Sequence, residues 1–328
     1  MEIAPITPVL PKQELKQKRV IADKGFWTRL RRDLQVNKDL YLLVIPVLVF
    51  YGLFHYVPMY GAVIAFQNFR PALGIAESDW VGFMHFRDFF GSMFFQRVVW
   101  NTIRISLLGL IFVFPAPIIL ALLINEVKNK YFARAVQTIT YMPFFISMVV
   151  VAGIIRIFVG STGVITQLLS PFGVPARNML DNLSYFLPIL VVSEIWQTVG
   201  WGSIIFLAAL QGIDQEQYEA AAIDGAGRWK QTIHVTIPGI MTTIIILFIL
   251  RMGTMLSVGA ERILLLYSPM VFEVADVIST FVFRRGLLEF QWSYAAAVNL
   301  FNSVVNVFFL VAANQISRRV TRNEVSLF

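Results

Sequence analysis

Residues 218–227 read Tyr-Glu-Ala-Ala-Ala-Ile-Asp-Gly-Ala-Gly, a polar and helix-prone stretch that lies between long apolar segments. Glu219 to Ile223 predict a short amphipathic helix, and Asp224-Gly225 is a turn signal. A second helix is predicted from Arg228 to Val235, and Pro238 marks the start of the next one. The stretch therefore predicts two short helices that are joined by a tight turn at a membrane surface.

The composition indicates a polytopic membrane protein. Apolar residues make up 57% of the 328 and charged residues 14%, and the mean hydropathy is +0.68. The chain has no cysteine, and its three histidines have no metal-ligand spacing. A GxxxxGK(S/T) phosphate-binding loop is absent as well. We therefore expect no catalytic residue, no metal and no cofactor in this chain. An intramembrane enzyme is not expected either, because it would need catalytic residues of these kinds.

Six segments are long enough to cross a bilayer, which requires ~20 apolar residues. The predicted cytoplasmic segments carry 17 lysines and arginines, and the predicted outer loops carry 6 when Arg97, at the edge of the second span, is left out. This bias places both termini in the cytoplasm, together with the loop at 211–237. The spans are predicted near 40–60, 98–123, 137–159, 185–209, 238–257 and 294–316.

The chain divides into a basic cytoplasmic arm, 1–39, and a six-span domain, 40–328. Within the arm, Phe26, Trp27, Leu30 and Leu34 recur at helical spacing opposite several basic residues. This pattern suits a helix that lies on the membrane lipid of the inner leaflet, although a solvated basic tail is the alternative. No nucleic-acid partner is expected.

Charged residues inside predicted spans are costly, by ~2.5–3.5 kcal/mol each, so they should face a cavity, a partner or the interface. Arg156, Glu194 and Arg251 fall in the outer halves of their spans, and Arg104 lies in another span. They are candidates for an outward vestibule, where three arginines to one glutamate would favour an anionic substrate. The alternatives are snorkelling to the headgroups or an Arg156–Glu194 ion pair that only ties two helices together.

The predicted fourth span has a mixed polar and aromatic face. Glu194, Gln197 and Trp201 recur at i, i+3 and i+7, and Trp196 is one position off that face. Amides and carboxylates hydrogen-bond hydroxyl groups, and flat rings pack on the apolar side of a pyranose. This face is therefore a candidate for sugar recognition.

The predicted sixth span carries a second stripe at the same spacing, formed by Asn299, Asn302 and Asn306. The three amides are candidates to line the substrate pathway. The stripe has a structural alternative, because polar residues in spans commonly hydrogen-bond across helices and would then join two membrane subunits.

The 218–227 stretch resembles the EAA loop of ATP-binding-cassette importer permeases. That pattern runs Glu-Ala-Ala, two residues, Asp-Gly-Ala and a later proline, and here it occurs between the fourth and fifth of six predicted spans. Thr232 and Ile237 depart from the family, which usually has Phe and Leu there. The resemblance implies a loop that docks into an ATPase subunit. Its implied coupling residues are Tyr218, Glu219, Ala220, Ala221, Asp224, Gly225, Ala226 and Pro238.

A second region narrows the resemblance to one branch of the importer permeases. Residues 40–46 read Leu-Tyr-Leu-Leu-Val-Ile-Pro, 56–61 read Tyr-Val-Pro-Met-Tyr-Gly and 80–83 read Trp-Val-Gly-Phe. These runs are similar to the polysaccharide-type branch of carbohydrate importer permeases, which take up oligosaccharides such as aldouronates. Within that branch the chain looks most like the first permease subunits of bacterial alginate importers, and the likeness extends over nearly the whole chain.

The resemblance implies an all-α, type I importer permease fold in a bacterial inner membrane. It also implies a second, different permease subunit, an ATPase homodimer that binds ATP and Mg²⁺, and an extracytoplasmic solute-binding protein. The implied cargo is an acidic oligosaccharide, alginate or another uronate, which would move by alternating access.

An ion-coupled secondary sugar transporter is the competing interpretation, because Glu194 among arginines is a candidate proton site. Such transporters usually show paired halves and need no cytoplasmic docking loop. This chain has six predicted spans and one such loop.

Overall fold

The computed structural model describes residues 33–257 and 259–320. One compact unit ends at Ala62 and a second begins at Val63. The described chain is helical apart from one short hairpin, in which Gln67–Asn68 pairs antiparallel with Asp79–Trp80. The amphipathic helix that the sequence predicts in the basic arm falls almost entirely on residues 1–32, outside the described residues.

The six predicted spans are confirmed in number when one bent helix pair is counted as a single span. Among the described residues, five helices are long and apolar enough to cross a membrane, and the bent pair makes a sixth. They are the first span Lys38–Phe66, the second Phe95–Asn125, the third Met148–Phe172, the fourth Leu183–Leu210, the fifth Arg228–Gly239 with Met241–Gly253, and the sixth Trp292–Arg319.

The prediction of the third span near 137–159 is wrong in its bounds, because the helix is interrupted there and the candidate span is Met148–Phe172. An α-helix at Lys130–Tyr141 continues as a 3₁₀ turn, Met142–Phe145, and the backbone then becomes extended at Ile146. Ser147 caps the next helix, since its Oγ accepts a hydrogen bond from the Val150 amide at 3.5 Å. The proline at position 143 and this serine cap interrupt an apolar run that the hydropathy pattern alone would leave unbroken.

The prediction that the fifth span begins at Pro238 is also wrong. The helix that begins at Arg228 runs through Pro238 to Gly239, and the chain then bends by 59° into Met241–Gly253. Gly239 allows close packing at this bend, because a Cβ there would lie 2.8 Å from the Ile213 side chain. The apolar leg has 13 residues, so the membrane-crossing element needs part of the more polar leg as well.

Proline explains three wide turns inside helices. Proline has no N–H and its ring clashes with the carbonyl four residues back. The amide of the residue before it therefore donates to the carbonyl five residues earlier instead of four. Before Pro115, for example, the Phe114 amide donates to the Gly109 carbonyl at 2.9 Å. The π-helical turns are Gly52–Tyr56 before Pro58, Gly109–Val113 before Pro115, and Thr232–Thr236 before Pro238.

The connection between the first and second spans folds onto the start of the sixth. The Phe69 amide donates to Ser293 Oγ at 2.9 Å, and the Phe69 ring packs edge-on against Trp292 at 6.3 Å between centroids. These contacts place this connection and the beginning of the sixth span on the same side of the domain. A short helix, Gly74–Glu77, lies between the two paired strands of this connection, and the helix Met84–Gly91 follows them.

The connection between the fifth and sixth spans is a chain of short helices that packs into the domain. Ile263, Leu266 and Val271 are fully buried in a core with Val151 of the third span and Phe186 of the fourth. This connection is therefore part of the packed domain. Its helices are Ala260–Leu266, Pro269–Val271, Phe272–Ala275, Ile278–Phe283 and Arg284–Leu288, and the sixth-span helix is Trp292–Val320.

A buried carboxylate fixes this connection to the second span. Asp276 is 0% exposed and pairs with Arg284 at 2.7 Å and with Arg97 at 3.4 Å. Thr280 Oγ1 donates to the same carboxylate at 2.9 Å, and the Asn101 amide donates to the Asp276 backbone carbonyl at 3.1 Å. A buried charge is tolerated only with such pairing.

We expect Asp276→Asn to destabilise the protein by about 3 kcal/mol, the lower end of the range for breaking a buried pair, because both arginines keep some solvent contact. The apparent melting temperature of the detergent-purified complex measures the effect. Asp79→Asn is the matched control, since its 3.8 Å pair with Arg70 is exposed and is worth less than about 1 kcal/mol. Equal melting temperatures for the two variants would contradict the assigned role of Asp276.

Candidate functional site

Two adjoining cavities meet at the fourth span. They measure about 280 and 200 Å³, and Glu194 lines both. The larger is bounded by Phe144, Met148, Leu190, Gln197, Thr198, Gly259, Glu261, Arg262 and Ile263 in addition to Glu194. The smaller is bounded by Ile105, Ser106, Gly109, Leu110, Arg251, Met252, Thr254, Met255, Ser257 and Gly259.

Glu194 forms an ion pair across the smaller cavity. Its carboxylate lies 3.5 Å from Arg251 Nη2, and the two side chains are 27% and 44% exposed. A Cβ at Gly109 would lie 3.2 Å from the same Arg251 nitrogen. Gly109 begins the π-helical turn before Pro115, so the widened turn and the missing side chain make room for the guanidinium.

Arg262 is the main residue of the site that the sequence did not predict. It is 9% exposed, and it donates to Gln197 Oε1 and to Ser193 Oγ, the latter at 3.3 Å. The sequence places it in an outer loop, where an arginine carries no special meaning. The signal that was available is the run Ile-Leu-Leu-Leu at 263–266, which is too apolar for a solvated loop.

Arg156 does not pair with Glu194, so that alternative is wrong. Its Nε and Nη2 both donate to the Leu265 carbonyl, at 2.8 and 2.6 Å. Leu265 lies in the last turn of the helix Ala260–Leu266, where a cation complements the helix dipole. The residues that line the two cavities do not include Arg156.

Gln197 links the larger cavity to the break in the chain before the third span. Its Nε2 donates to the Ile146 carbonyl at 3.2 Å, and its Oε1 accepts from Arg262. Glu194 and Gln197 are thus brought together in one cavity, as their spacing predicts.

The two tryptophans point elsewhere. Trp201 stacks on Phe144 at 4.8 Å between centroids, with an interplanar angle of 5°, and packs edge-on against Phe145. Trp196 lines a separate apolar cavity of about 440 Å³ between the third and fourth spans, together with Phe158 and Ile189. The structure therefore separates the aromatic part of the predicted face from its polar part.

The asparagine stripe is also divided. Asn306 Oδ1 accepts from the Leu256 amide at 2.8 Å, and its Nδ2 donates to Ser257 Oγ at 3.0 Å. Asn302 is buried with its Oδ1 unbonded, and Asn299 is exposed. Asn306 thus ties the sixth span to the end of the fifth within this chain, whereas Asn299 is left on the surface and Asn302 keeps an unbonded buried oxygen.

The 218–227 stretch forms the turn that its sequence predicts. The helix Gln215–Ile223 is followed by Gly225 with φ +76°, a left-handed conformation that favours glycine. The Ala226 amide donates to the Ala221 carbonyl at 2.9 Å and closes the helix end. We call Gln215–Gly239 the 215–239 hairpin.

The hairpin is held in one shape by polar contacts. Tyr218 Oη donates to Thr236 Oγ1 at 3.0 Å, so the two arms are joined directly. Arg228 pairs with Glu126 at 3.7 Å, which places the hairpin beside the end of the second span. On the open surface, Glu219, Ala220, Asp224 and Pro238 are exposed, together with Ile223 at 87% and Trp229 at 76%.

Two glycines bring the fourth span close to its neighbours. A Cβ at Gly200 would lie 2.1 Å from the Thr140 carbonyl oxygen, and one at Gly202 would lie 2.9 Å from the Pro117 ring. Backbone contact of this kind sets the position of Gln197 relative to Ile146. The glycines therefore position the site without lining it.

We expect Gly200→Ala to destabilise the protein by about 1–3 kcal/mol, because the added methyl forces backbone apart. Gly153→Ala is the control, since no atom lies within 4 Å of its added Cβ. Apparent melting temperatures in detergent compare the two. A Gly200→Ala protein as stable as the Gly153→Ala protein would show that this helix contact is not tight.

The family model that describes the binding-protein-dependent transport system inner membrane component matches residues 113–322. Protein LplB of Bacillus subtilis is 44% identical over 301 residues, which cover 91% of this chain and 93% of LplB. The polygalacturonan/rhamnogalacturonan transport system permease protein YteP of the same organism is 40% identical, and the match covers 92% and 94% of the two chains.

Two solved structures are similar in fold and sequence. One is a bacterial ABC transporter involved in the import of the acidic polysaccharide alginate, with a TM-score of 0.82 and 42% identity over 89% of this chain and 99% of that one. The other is a bacterial alginate ABC transporter in complex with an alginate pentasaccharide-bound periplasmic protein. Its TM-score is 0.83, with 40% identity over 93% of this chain and all of that one.

Proposed function

The chain belongs to the family of binding-protein-dependent transport system inner membrane components, and from this premise we propose that it is a permease subunit of an ATP-driven importer of acidic oligosaccharides. The observation that carries the choice of cargo is the pair of arginines, Arg251 and Arg262, in cavities between the spans. Guanidinium groups bind carboxylates through paired N–H donors. The relatives named for polygalacturonan and alginate support the same cargo class.

The proposal places the turn end of the 215–239 hairpin in the cytoplasm, with the amino and carboxyl termini on the same side. The contact between Glu126 and Arg228 supports one common side for the hairpin and the end of the second span. The positive-inside bias of the sequence supports the cytoplasm as that side.

The hairpin is proposed to dock into an ATPase subunit. Its exposed apolar residues, Ile223 and Trp229, need a groove to cover them, and a rigid helical hairpin suits insertion into one. A homodimer of that ATPase would bind ATP and Mg²⁺, so this chain would need no nucleotide site and no catalytic residue of its own.

A second permease and a solute-binding protein complete the proposed assembly. The binding protein would deliver the oligosaccharide from outside the inner membrane to a pathway between the two permeases. ATP and loaded binding protein would then bias one two-state assembly through different contacts, which is alternating access.

We expect Gly225→Ala to reduce substrate-stimulated ATP hydrolysis severalfold, because an alanine at φ +76° costs about 1–2 kcal/mol and would twist the hairpin. Hydrolysis by the complex in liposomes, with and without loaded binding protein, measures this. Gly227→Ala is the matched control, since Gly227 has φ −69° and no atom within 4 Å of its added Cβ. Equal stimulation in both variants would remove the hairpin from the coupling path.

The cargo class has its own test. We expect the liposome-reconstituted complex to take up an alginate oligosaccharide in preference to a neutral oligosaccharide of equal length, because Arg251 and Arg262 pair with carboxylates. Uptake of the labelled sugars under ATP is the measurement. Equal uptake of both would reject the acidic cargo, and uptake that follows an imposed ion gradient without ATP would reject the ATP-driven importer.

A further inference from the structure

Glu194 sits between two arginines that are held very differently. On one side its pair with Arg251 is long, 3.5 Å, against the ~2.7–2.9 Å of a strong charge-assisted hydrogen bond. Both side chains keep solvent contact. On the other side Glu194 lines the larger cavity together with Arg262. The carboxylate is thus loosely held and borders both cavities.

Arg262 has N–H donors that its described hydrogen bonds do not use. A guanidinium carries five N–H donors, and the hydrogen bonds described for Arg262 go to two acceptors, Ser193 and Gln197. Those two acceptors fix the plane of the group from the side of the fourth span. The remaining donors are available to an anion in the cavity.

The charges that border the cavities are balanced within the chain. Arg251 and Arg262 are matched by Glu194 and by the exposed Glu261. A cavity that simply attracted anions would have an excess of arginine. Balanced charge therefore requires that an incoming carboxylate replace one already present.

We propose that Glu194 is an internal counter-ion that occupies the place of a cargo carboxylate, and that Arg251 and Arg262 bind the uronate once Glu194 moves aside. This rests on the proposed import of acidic oligosaccharides. An acidic sugar can exchange its carboxylate for that of Glu194 and keep both arginines paired, whereas a neutral sugar has no carboxylate to exchange and leaves the Glu194 pair in place. Selectivity for the acid then comes from contacts with the arginines that only a carboxylate can gain.

Gln197 acts as a positioning residue in this scheme. Its amide joins Arg262 to the Ile146 carbonyl, at the break before the third span. An arginine that is anchored in this way keeps its place when Glu194 leaves. Among the residues that the structure describes, Glu194 has one ion pair and no such anchor, so it is the group that moves.

The test is equilibrium binding of a labelled alginate trisaccharide, and of its methyl ester, to the detergent-purified complex without binding protein. We expect Glu194→Gln to tighten binding of the acid about tenfold and Arg262→Gln to weaken it about tenfold, the effect of one charge-assisted hydrogen bond. Binding of the ester should change in neither variant. Effects of opposite sign distinguish this role from a structural one, which would weaken both.

Matched controls are Glu273→Gln and Arg87→Gln, which remove exposed charges at residues outside the two cavities. Arg262→Lys, which keeps the charge without the planar fork, guards against a folding defect, and it should still prefer the acid. If wild type binds acid and ester equally, the acidic cargo itself is wrong. If wild type prefers the acid but Glu194→Gln weakens its binding or leaves it unchanged, only the counter-ion role is overturned.

Discussion

Every backbone N–H and C=O inside a membrane needs a partner, and this chain interrupts its helices at several points where that requirement is hard to meet. Side chains from neighbouring spans supply the partners. Gln197 donates to the Ile146 carbonyl, Arg156 donates to the Leu265 carbonyl, and Asn306 accepts from the Leu256 amide. Polar residues of the spans thus have a structural role, because they bond backbone groups where the helices are interrupted. Their cost in the membrane is offset by the backbone groups that they satisfy.

The interruptions also create the space in which the candidate site lies. The turn that begins at Gly109 exists because Pro115 cannot donate a hydrogen bond, and Arg251 packs where a side chain at Gly109 would be. The larger cavity is bordered by Phe144, in the 3₁₀ turn before Ile146, and by the short helix that carries Arg262. A set of unbroken helices would pack without these openings. The helix interruptions therefore open the cavities, and the paired charges lie in the space that they open.

The sequence predicted those features that depend on local pattern. Apolar length gave the six spans, and Asp224-Gly225 gave the turn, because a left-handed residue after a helix favours glycine. The break at Ile146 and the bend after Gly239 were missed, since both lie inside apolar runs. The roles of Arg156 and Arg262 depend on contacts between residues about 65 to 110 positions apart. No periodicity within one helix contains that information, whereas Glu194 and Gln197 share a face and were predicted together.

A balance of positive and negative side chains distinguishes a site that can release an acidic sugar from one that binds it too tightly for transport. Free arginines in a cavity would hold any small anion and would hold an acidic sugar too tightly to release it, since each charge-assisted contact is worth ~1.5–3 kcal/mol. A glutamate of the chain that competes for the same arginines lowers both affinities by a similar amount. An oligosaccharide recovers the difference through its other contacts, whereas an inorganic anion has none to offer. The loose 3.5 Å pair of Glu194 with Arg251 fits the proposed exchange, because a tight pair would exclude an acidic cargo and no pair would trap it.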